Sequence, residues 1–498
     1  MAVPVTLVAK SLDDLTSWHS NWSGLRAVVL GLGATGFSVA DTLAELECSV
    51  LVATESADEL RLRMCDVLGV DVVMTAGATN VEQALSEFNP DVIVVSPGYA
   101  PSHPLVVWAG ATGTPMLTDI DLAWRLRDKV GPPAEWILVT GTNGKTTTTQ
   151  LAAHMLQAGG YRVAPCGNIG VPILDAIRDP EGFDFFVVEL SSYQLHYMGA
   201  VFPHSAACLN IADDHLDWHG SLQAYVEAKA KVFHNVRVAC VYNRTDPLTE
   251  AMVEGAEVVD GARAIGFSLG VPGMSDLGLV EDVLCDRAFL EDRKDRAIEI
   301  STLSELADFG LASPHMVANV LAASALARAC DVTPEAISVA LSTFSVDAHR
   351  HEIVAVSKTI TWINDSKATN PHAANAALMA HESIVWIVGG LLKGVSLDDL
   401  ISSHKHRLRG VIVIGESRLE VISAFERHAP GVPVREVDTT ETSEVMSLAV
   451  NYAVEMAQSN DVVLLAPAAA SMDQFVDYAH RGREFSEAVN RALGGRHG

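Results

Sequence analysis

Three times along this chain an apolar strand runs into a glycine-bearing turn and then an amphipathic helix. The units are RAVVLGLGATGFSVADTLAEL (26–46), WILVTGTNGKTTTTQLAAHML (136–156) and SIVWIVGGLLKGVSLDDLI (383–401). Strands that alternate with helices cross over to lie parallel, with the helices packed on the sheet faces. The recurrence predicts an α/β protein with three domains in series, and 498 residues are too many for one ordinary core. The Gly-Pro-Pro of RDKVGPPAEW (127–136) and the stretch SVDAHRHEI (345–353) are the expected boundaries, giving domains 1–130, 131–346 and 347–498. VAVSKTITWIND, just past the second boundary, reads as a strand, whereas 244–312 is acidic and irregular and carries no motif.

Composition narrows the function classes. Hydrophobic residues make up 49% of the chain and charged residues 19%, so disorder is excluded and large cores are expected. The formal net charge is −28, from 34 Lys and Arg against 62 Asp and Glu. Such a chain is repelled by nucleic acid and by anionic membranes, so an anionic substrate has to be held by local cations. The seven cysteines are scattered with no CxxC pair, which fits a reducing cytosol rather than a disulfide framework. MAVPVTLVAKSLDDL lacks a basic start followed by a sustained apolar core, so no signal peptide is expected. No apolar run approaches the roughly 20 residues of a membrane span.

In VVLGLGATGFS, Gly31, Gly33 and Gly36 have dinucleotide-binding spacing, and the helix that follows offers its N-terminus to a phosphate. A nicotinamide or flavin enzyme wants an acidic residue at the end of the next strand. That strand, SVLVATES, ends at Ala53 and Thr54, with Glu55 just past it. A dinucleotide, another nucleotide diphosphate, and a tight turn with no ligand all stay open.

TGTNGKTTT is more specific. Backbone amides from Gly141 to Gly144 can form an anion nest, Lys145 can reach the β- and γ-phosphates, and the Thr146 hydroxyl can ligate Mg²⁺. Val139 stands where the standard P-loop has its first glycine, leaving the shorter GxxGK[ST]. The competing reading is a helix start capped by threonines. Glu189, closing the apolar run FDFFVVE, supplies a second metal carboxylate or else caps the next helix. NIADDHLDWHGS gathers Asp213, Asp214, His215, Asp217 and His219. The two histidines sit four apart, yet no third zinc ligand stands at a recognised spacing. His215 reads better as a hard-metal ligand or a polar contact near phosphates.

Taken together, TGTNGKTT, VELSSYQL, NIADDHLDWH, YVEAKAKVF, NDSKATNP, GGLLKG and LLAPAAASMDQF closely resemble the motifs of the Mur ligases of bacterial cell-wall synthesis, in the family's order and across 31–485. The DSKATN and ASMDQF pair resembles the member that adds D-glutamate, and the Asn-Pro-Arg signature of the diamino-acid-adding sister is missing. The resemblance implies an N-terminal Rossmann-like domain for the UDP end of UDP-N-acetylmuramoyl-L-alanine. It implies a central P-loop-type ATP-binding domain with a mostly parallel sheet, and a C-terminal Rossmann-like domain for D-glutamate. The implied reaction is ATP-dependent amide ligation through an acyl phosphate, by a cytoplasmic monomer that needs no nucleic acid or membrane partner. The implied cofactors are ATP, Mg²⁺ at two sites, and CO2 as a lysine carbamate.

The family's site residues carry over by motif. Gly33, Ala34, Thr35 and Thr54 would meet the uridine diphosphate end, and Asn168, Ser191 and Gln194 the rest of that substrate. Gly141, Thr142, Asn143, Gly144, Lys145, Thr146 and Thr147 would hold ATP with Asn319, Arg350 and Asp365. Met316 replaces a family asparagine near adenine. Lys145, His215 and Lys229 would be catalytic. Thr146 and Glu189 would hold one Mg²⁺, and His215 and carbamylated Lys229 a second. On residues alone, Lys229 reads as a solvated helix lysine. Lys367, Thr369, Lys393, Ser471 and Tyr478 would bind D-glutamate, with Tyr478 where the family has Phe. SMDQ also reads as a capping box at a helix start, with Asp473 a favourable charge there. The competing functions are a sister or folylpolyglutamate-type ligase, an ATP-driven switch or motor, and a dinucleotide oxidoreductase.

Overall fold

The structure, a computed structural model, describes residues 12–77, 80–345, 349, 351–439 and 441–494. Each of the three glycine turns lies between a strand and a helix. The strands Arg26–Leu30, Glu135–Thr140 and Ile384–Gly389 lead to the helices Ala34–Glu45, Lys145–Ala158 and Asp398–His404. Each strand belongs to a different sheet.

The first sheet is fully parallel, in the order Asp71–Met74, Ser49–Thr54, Arg26–Leu30, Val92–Val95, Met116–Leu117. The order reverses beside Arg26–Leu30, so the first glycine turn opens at the switch point where α/β sheets bind ligands. At Gly36 an added Cβ would lie 2.0 Å from the Gly31 carbonyl oxygen, so helix and turn approach too closely for a side chain.

The second sheet has nine strands, and its parallel part runs Val163–Gly167, Phe185–Glu189, Glu135–Thr140, Ser205–Cys208, Ala239–Asn243, Arg263–Phe267, Asp276–Val280. Val283–Asp286 and Ile298–Thr302 extend it antiparallel. The stretch that carries no motif, 244–312, therefore supplies four strands of this sheet. Its strands are short, and Arg263–Phe267 and Asp276–Val280 are buried at one end and open at the other, so no apolar run marks them.

The third sheet runs Glu352–Ser357, Ile360–Asn364, Val462–Leu465, Ile384–Gly389, Leu408–Ile414, Val434–Glu436. VAVSKTITWIND is not one strand. Lys358 adopts φ +58° and folds it into the antiparallel hairpin of Glu352–Ser357 with Ile360–Asn364. The other pairings are parallel. Both faces of this sheet are buried: Trp386 and Val388 lie in one core, Val385 and Ile387 in the other.

Backbone contacts divide the chain into two compact units, Met1–Ile211 with Gln223–Phe344, and Ala212–Leu222 with Ser345–Gly498. In the first, one continuous core joins Val29 and Val52 of the first sheet to Leu138 and Val188 of the second. The short insert Ala212–Leu222, which carries His215, belongs with the third sheet. Among the described residues no helix is long and apolar enough to cross a membrane.

Candidate active site

The Gly141–Thr147 loop sits where the buried strand Glu135–Thr140 enters the helix Lys145–Ala158. Gly144 is the residue before that helix, at φ +82°, and a Cβ there would lie 2.4 Å from the Asn319 side-chain oxygen. Only glycine fits, and Asn319, buried, backs the loop. Asn210 fixes the other side. Its carbonyl accepts from the Thr142 amide at 2.9 Å, its side-chain oxygen accepts from the Asn143 amide at 2.8 Å, and its amide donates to the Asn143 carbonyl at 3.1 Å.

Two lysines converge on this loop. Lys145 Nζ donates to the carbonyls of Gly141 and Thr142, both at 3.0 Å. Lys229 Nζ donates to the same Gly141 carbonyl at 2.9 Å and lies 3.2 Å from Thr140 Oγ1. Lys229 is 1% exposed, which overturns its reading as a solvated helix lysine. Tyr225, one helical turn earlier, lies under its ammonium at 4.9 Å and shares a 2.8 Å hydrogen bond with Thr142 Oγ1. Sequence reasoning gave Tyr225 and Asn210 no role. The i, i+4 spacing of Tyr225 and Lys229 on one helix face is the signal that finds the first.

Next to the loop, Glu189 ends its strand fully buried. Oε1 accepts from Asn168 Nδ2 at 2.9 Å, and Oε2 has no hydrogen-bond partner among the described residues. A buried carboxylate oxygen without a donor fits a hard cation, and Thr146 is buried in the first turn of the adjacent helix. This donor set fits Mg²⁺ with a nucleotide triphosphate. Ser191 caps the helix Ser192–Tyr197 in a reciprocal capping box with Gln194.

Gly33, Ala34 and Thr35 lie at the first glycine turn, with Gly33 the residue before the helix. Thr54 ends the neighbouring strand, buried, its hydroxyl donating to the Ser56 carbonyl at 2.8 Å. Glu55 pairs with His103 at 3.2 Å.

In the second unit, Lys367 Nζ lies 3.7 Å from the centre of the Tyr478 ring, so two of the five amino-acid residues meet directly. Lys393 Nζ is 3.4 Å from His215 Nδ1, while His215 Nε2 faces Asp214 at 3.6 Å. Asp365 accepts from the His351 amide at 3.2 Å, and the Thr369 amide donates to the Lys367 carbonyl at 2.8 Å. Arg350 lies outside the described residues. Ser471 is buried, but SMDQ does not start a helix. Its carbonyl closes a turn with the amides of Gln474 and Phe475, and the helix begins at Tyr478. Asp473 and Gln474 serve a neighbouring loop instead, accepting from the amides of Glu416 and Gly415 at 2.7 and 2.9 Å. Among the described residues no three His, Cys, Asp or Glu side chains are grouped to hold a metal.

Sequence reasoning also missed Arg481, which is fully buried. It donates to Ser366 Oγ at 3.0 Å, to the Ser366 carbonyl at 2.9 Å and to the Ala469 carbonyl at 3.2 Å. It ties the loop carrying Asp365, Lys367 and Thr369 to the loop carrying Ser471. Burial lowers its pKa to about 9 against the opposing field of Asp473.

A glycine loop with converging lysines, an open carboxylate beside it and a Rossmann-type sheet on the same unit define a nucleotide-binding α/β protein. The family models agree. Residues 25–118 match the Mur ligase MurD-like N-terminal domain, 139–327 the Mur ligase middle domain, and 349–469 the Mur ligase glutamate ligase domain. The chain belongs to the Mur ligase family. It is 60% identical to a UDP-N-acetylmuramoylalanine--D-glutamate ligase of Leifsonia xyli, over 99% of this chain and 97% of that one. It is 49% identical to the ligase of the same name from Streptomyces avermitilis, over 95% of this chain and 100% of that one. Among solved structures, UDP-N-acetylmuramate-alanine ligase MurC of Thermotoga maritima shares the fold at a TM-score of 0.56 and 20% identity, covering 94% of this chain and 100% of its own.

Proposed function

We propose that this chain joins D-glutamate to UDP-N-acetylmuramoyl-L-alanine at the expense of ATP, in the cytoplasmic synthesis of peptidoglycan precursor. The convergence of Lys145 and Lys229 on the Gly141 carbonyl carries the reading, because it sets the Lys145 cation at a glycine loop suited to the phosphates of ATP, with Lys229 beside it. In the first step an oxygen of the L-alanine carboxylate attacks the γ-phosphorus, the bond to the β-bridging oxygen breaks, and ADP leaves. In the second the unprotonated D-glutamate amine attacks the acyl carbon, the carbon–oxygen bond to phosphate breaks, and the amine proton passes to solvent. Both steps depend on positioning and charge neutralisation.

The chain's own groups divide this work. The amides of the Gly141–Thr147 loop hold the triphosphate, and Lys145 exchanges the loop carbonyls for phosphate oxygens. Asn319 seats the loop, and Arg350 and Asp365 complete the ATP contacts. Thr146 and Glu189 hold a divalent cation, which neutralises phosphate charge when bound. His215 and Lys229, as a carbamate with CO2, are the groups proposed for a second. Gly33, Ala34, Thr35, Thr54, Asn168, Ser191 and Gln194 hold the UDP-linked substrate. Lys367, Thr369, Lys393, Ser471 and Tyr478 hold D-glutamate, whose two carboxylates call for the cations of this set.

The test is phosphate release with Mg²⁺·ATP and UDP-N-acetylmuramoyl-L-alanine across a panel of L- and D-amino acids. Release with D-glutamate alone, with a new UDP-linked product, is expected. Release with a different amino acid keeps the chemistry and overturns the acceptor. Hydrolysis without any acceptor overturns the ligase reading.

A further inference from the structure

The helix Ser192–Tyr197 carries Gln194 and is capped by Ser191, and the segment 99–121 of the first sheet's domain holds it at both ends. At its start, Gln194 Nε2 donates to Asp119 Oδ2 at 3.3 Å. Near its end, the Tyr197 hydroxyl donates to the Tyr99 carbonyl at 2.9 Å. Just beyond, the Gly199 amide donates to Asp121 Oδ1 at 2.8 Å. The two aspartates sit in the first turn of Asp119–Leu126, whose own cap is the reciprocal pair Thr118 and Asp121.

Asp121 is accounted for by that cap. Asp119 is not. It is 4% exposed, and its Oδ1 is buried with no hydrogen-bond partner among the described residues. A buried carboxyl of this kind is a cost to the fold. What it does is fix one amide. Gln194 Oε1 accepts from the Ser191 amide and the Ser191 hydroxyl, both at 3.1 Å, so the amide oxygen is committed to Ser191. The amide nitrogen has two protons and gives one to Asp119. An ionised carboxylate only accepts, so it forbids the flipped amide, which would set the Gln194 oxygen against Asp119 and the amide nitrogen against the Ser191 N–H. The second proton of Nε2 has no acceptor among the described residues.

We propose that Asp119 is the positioning residue for the UDP-linked substrate: it locks the Gln194 side chain so that one amide N–H, beside the Ser191 cap, is presented to that substrate. The inference rests on the reading of Ser191 and Gln194 as contacts to UDP-N-acetylmuramoyl-L-alanine. It adds a residue of the first sheet's domain acting through a residue of the second sheet's.

Steady-state kinetics of three variants test it. Asp119→Leu removes the acceptor and keeps the same branching and number of side-chain heavy atoms. It should raise the KM for UDP-N-acetylmuramoyl-L-alanine at least tenfold and leave those for ATP and D-glutamate within twofold. Asp119→Asn can still present an oxygen to Gln194 and should bring that KM back to within about threefold of wild type. Gln194→Ala should raise the same KM, and Asp119→Leu in the Gln194→Ala background should add nothing further, because the two act as one. If Asp119→Leu does not fold, Asp119→Ser, whose hydroxyl is too short to reach the amide, is read in the same way. An unchanged KM in Asp119→Leu while Gln194→Ala raises it overturns the inference alone. An unchanged KM in Gln194→Ala overturns the substrate reading beneath it. A uniform rise in all three KM values marks Asp119 as structural and overturns the inference.

Discussion

Lys145 and Lys229 place their ammonium nitrogens 3.0 and 2.9 Å from one atom, the carbonyl oxygen of Gly141. One lysine comes from the first turn of the helix that follows the loop. The other comes from the last turn of the helix Leu222–Ala230, more than eighty residues later. Two like charges at one neutral acceptor repel each other. A triphosphate in the loop, or a carbamate on Lys229, relieves that repulsion, so the arrangement favours a bound anion over an empty site.

Lys229→Met keeps the unbranched stem of the side chain up to Cε and removes the charged nitrogen. Because a buried cation gives way to a buried thioether, the variant should be as stable as wild type or more so. Turnover should fall at least a hundredfold. Thermal melting and phosphate release on one preparation check both. A loss of stability with activity retained would make Lys229 a structural residue.

Gly144→Ala forces a Cβ to within 2.4 Å of the Asn319 oxygen at a backbone angle of φ +82°. The strain should cost about 1–3 kcal/mol and displace the loop amides. The KM for ATP should rise at least tenfold, while binding of the UDP-linked substrate, measured calorimetrically without ATP, should be unaffected.

Arg481→Met strands the Ser366 and Ala469 carbonyls, both of which accept from the guanidinium. Two buried acceptors left unpaired should lower stability by about 2–4 kcal/mol in a urea titration. They should also weaken D-glutamate binding, since the two tied loops carry Lys367, Thr369 and Ser471. An unchanged midpoint would mean the two loops hold their positions without this arginine.

Burial raises the Asp119 carboxyl from 3.8 to about 6, opposed by its hydrogen bond with Gln194. The folded state therefore holds this proton more tightly than the unfolded chain. The resulting stability is fully present below the unfolded value and is lost as pH rises through about 6. Between pH 5 and pH 7.5, wild type should lose about 1 kcal/mol relative to Asp119→Asn, which cannot titrate there. Denaturant titrations at the two pH values measure the difference.

The three glycine turns were legible because each joins an apolar strand to an amphipathic helix, and a parallel sheet buries its strands on both faces. The Glu352–Ser357 hairpin was not, since its turn is Lys358-Thr359 rather than a glycine or asparagine pair, and the strands continue one apolar pattern. The 244–312 segment was opaque because its strands are only partly buried. The motifs and the family they resemble pointed to Lys145, Glu189 and Lys229, but not to the burial of Lys229, which depends on a helix folding back over the loop. SMDQ shows how a local pattern misleads: Asp473 and Gln474 bond to Glu416 and Gly415, nearly sixty residues away, and no helix starts there. Asp119 and Arg481 act through neighbours distant in sequence, Gln194 and Ser366, and no spacing rule reveals such pairs.

The central claim is that the lysine loop activates a carboxylate. UDP-N-acetylmuramoyl-L-alanine labelled with ¹⁸O in the alanine carboxylate, turned over with Mg²⁺·ATP and D-glutamate, tests it most directly. Transfer of one label to the released phosphate is the predicted result, because the attacking oxygen leaves with the phosphorus. Unlabelled phosphate from the labelled substrate, with label entering instead from ¹⁸O-water, would mean simple hydrolysis of ATP and contradict the account.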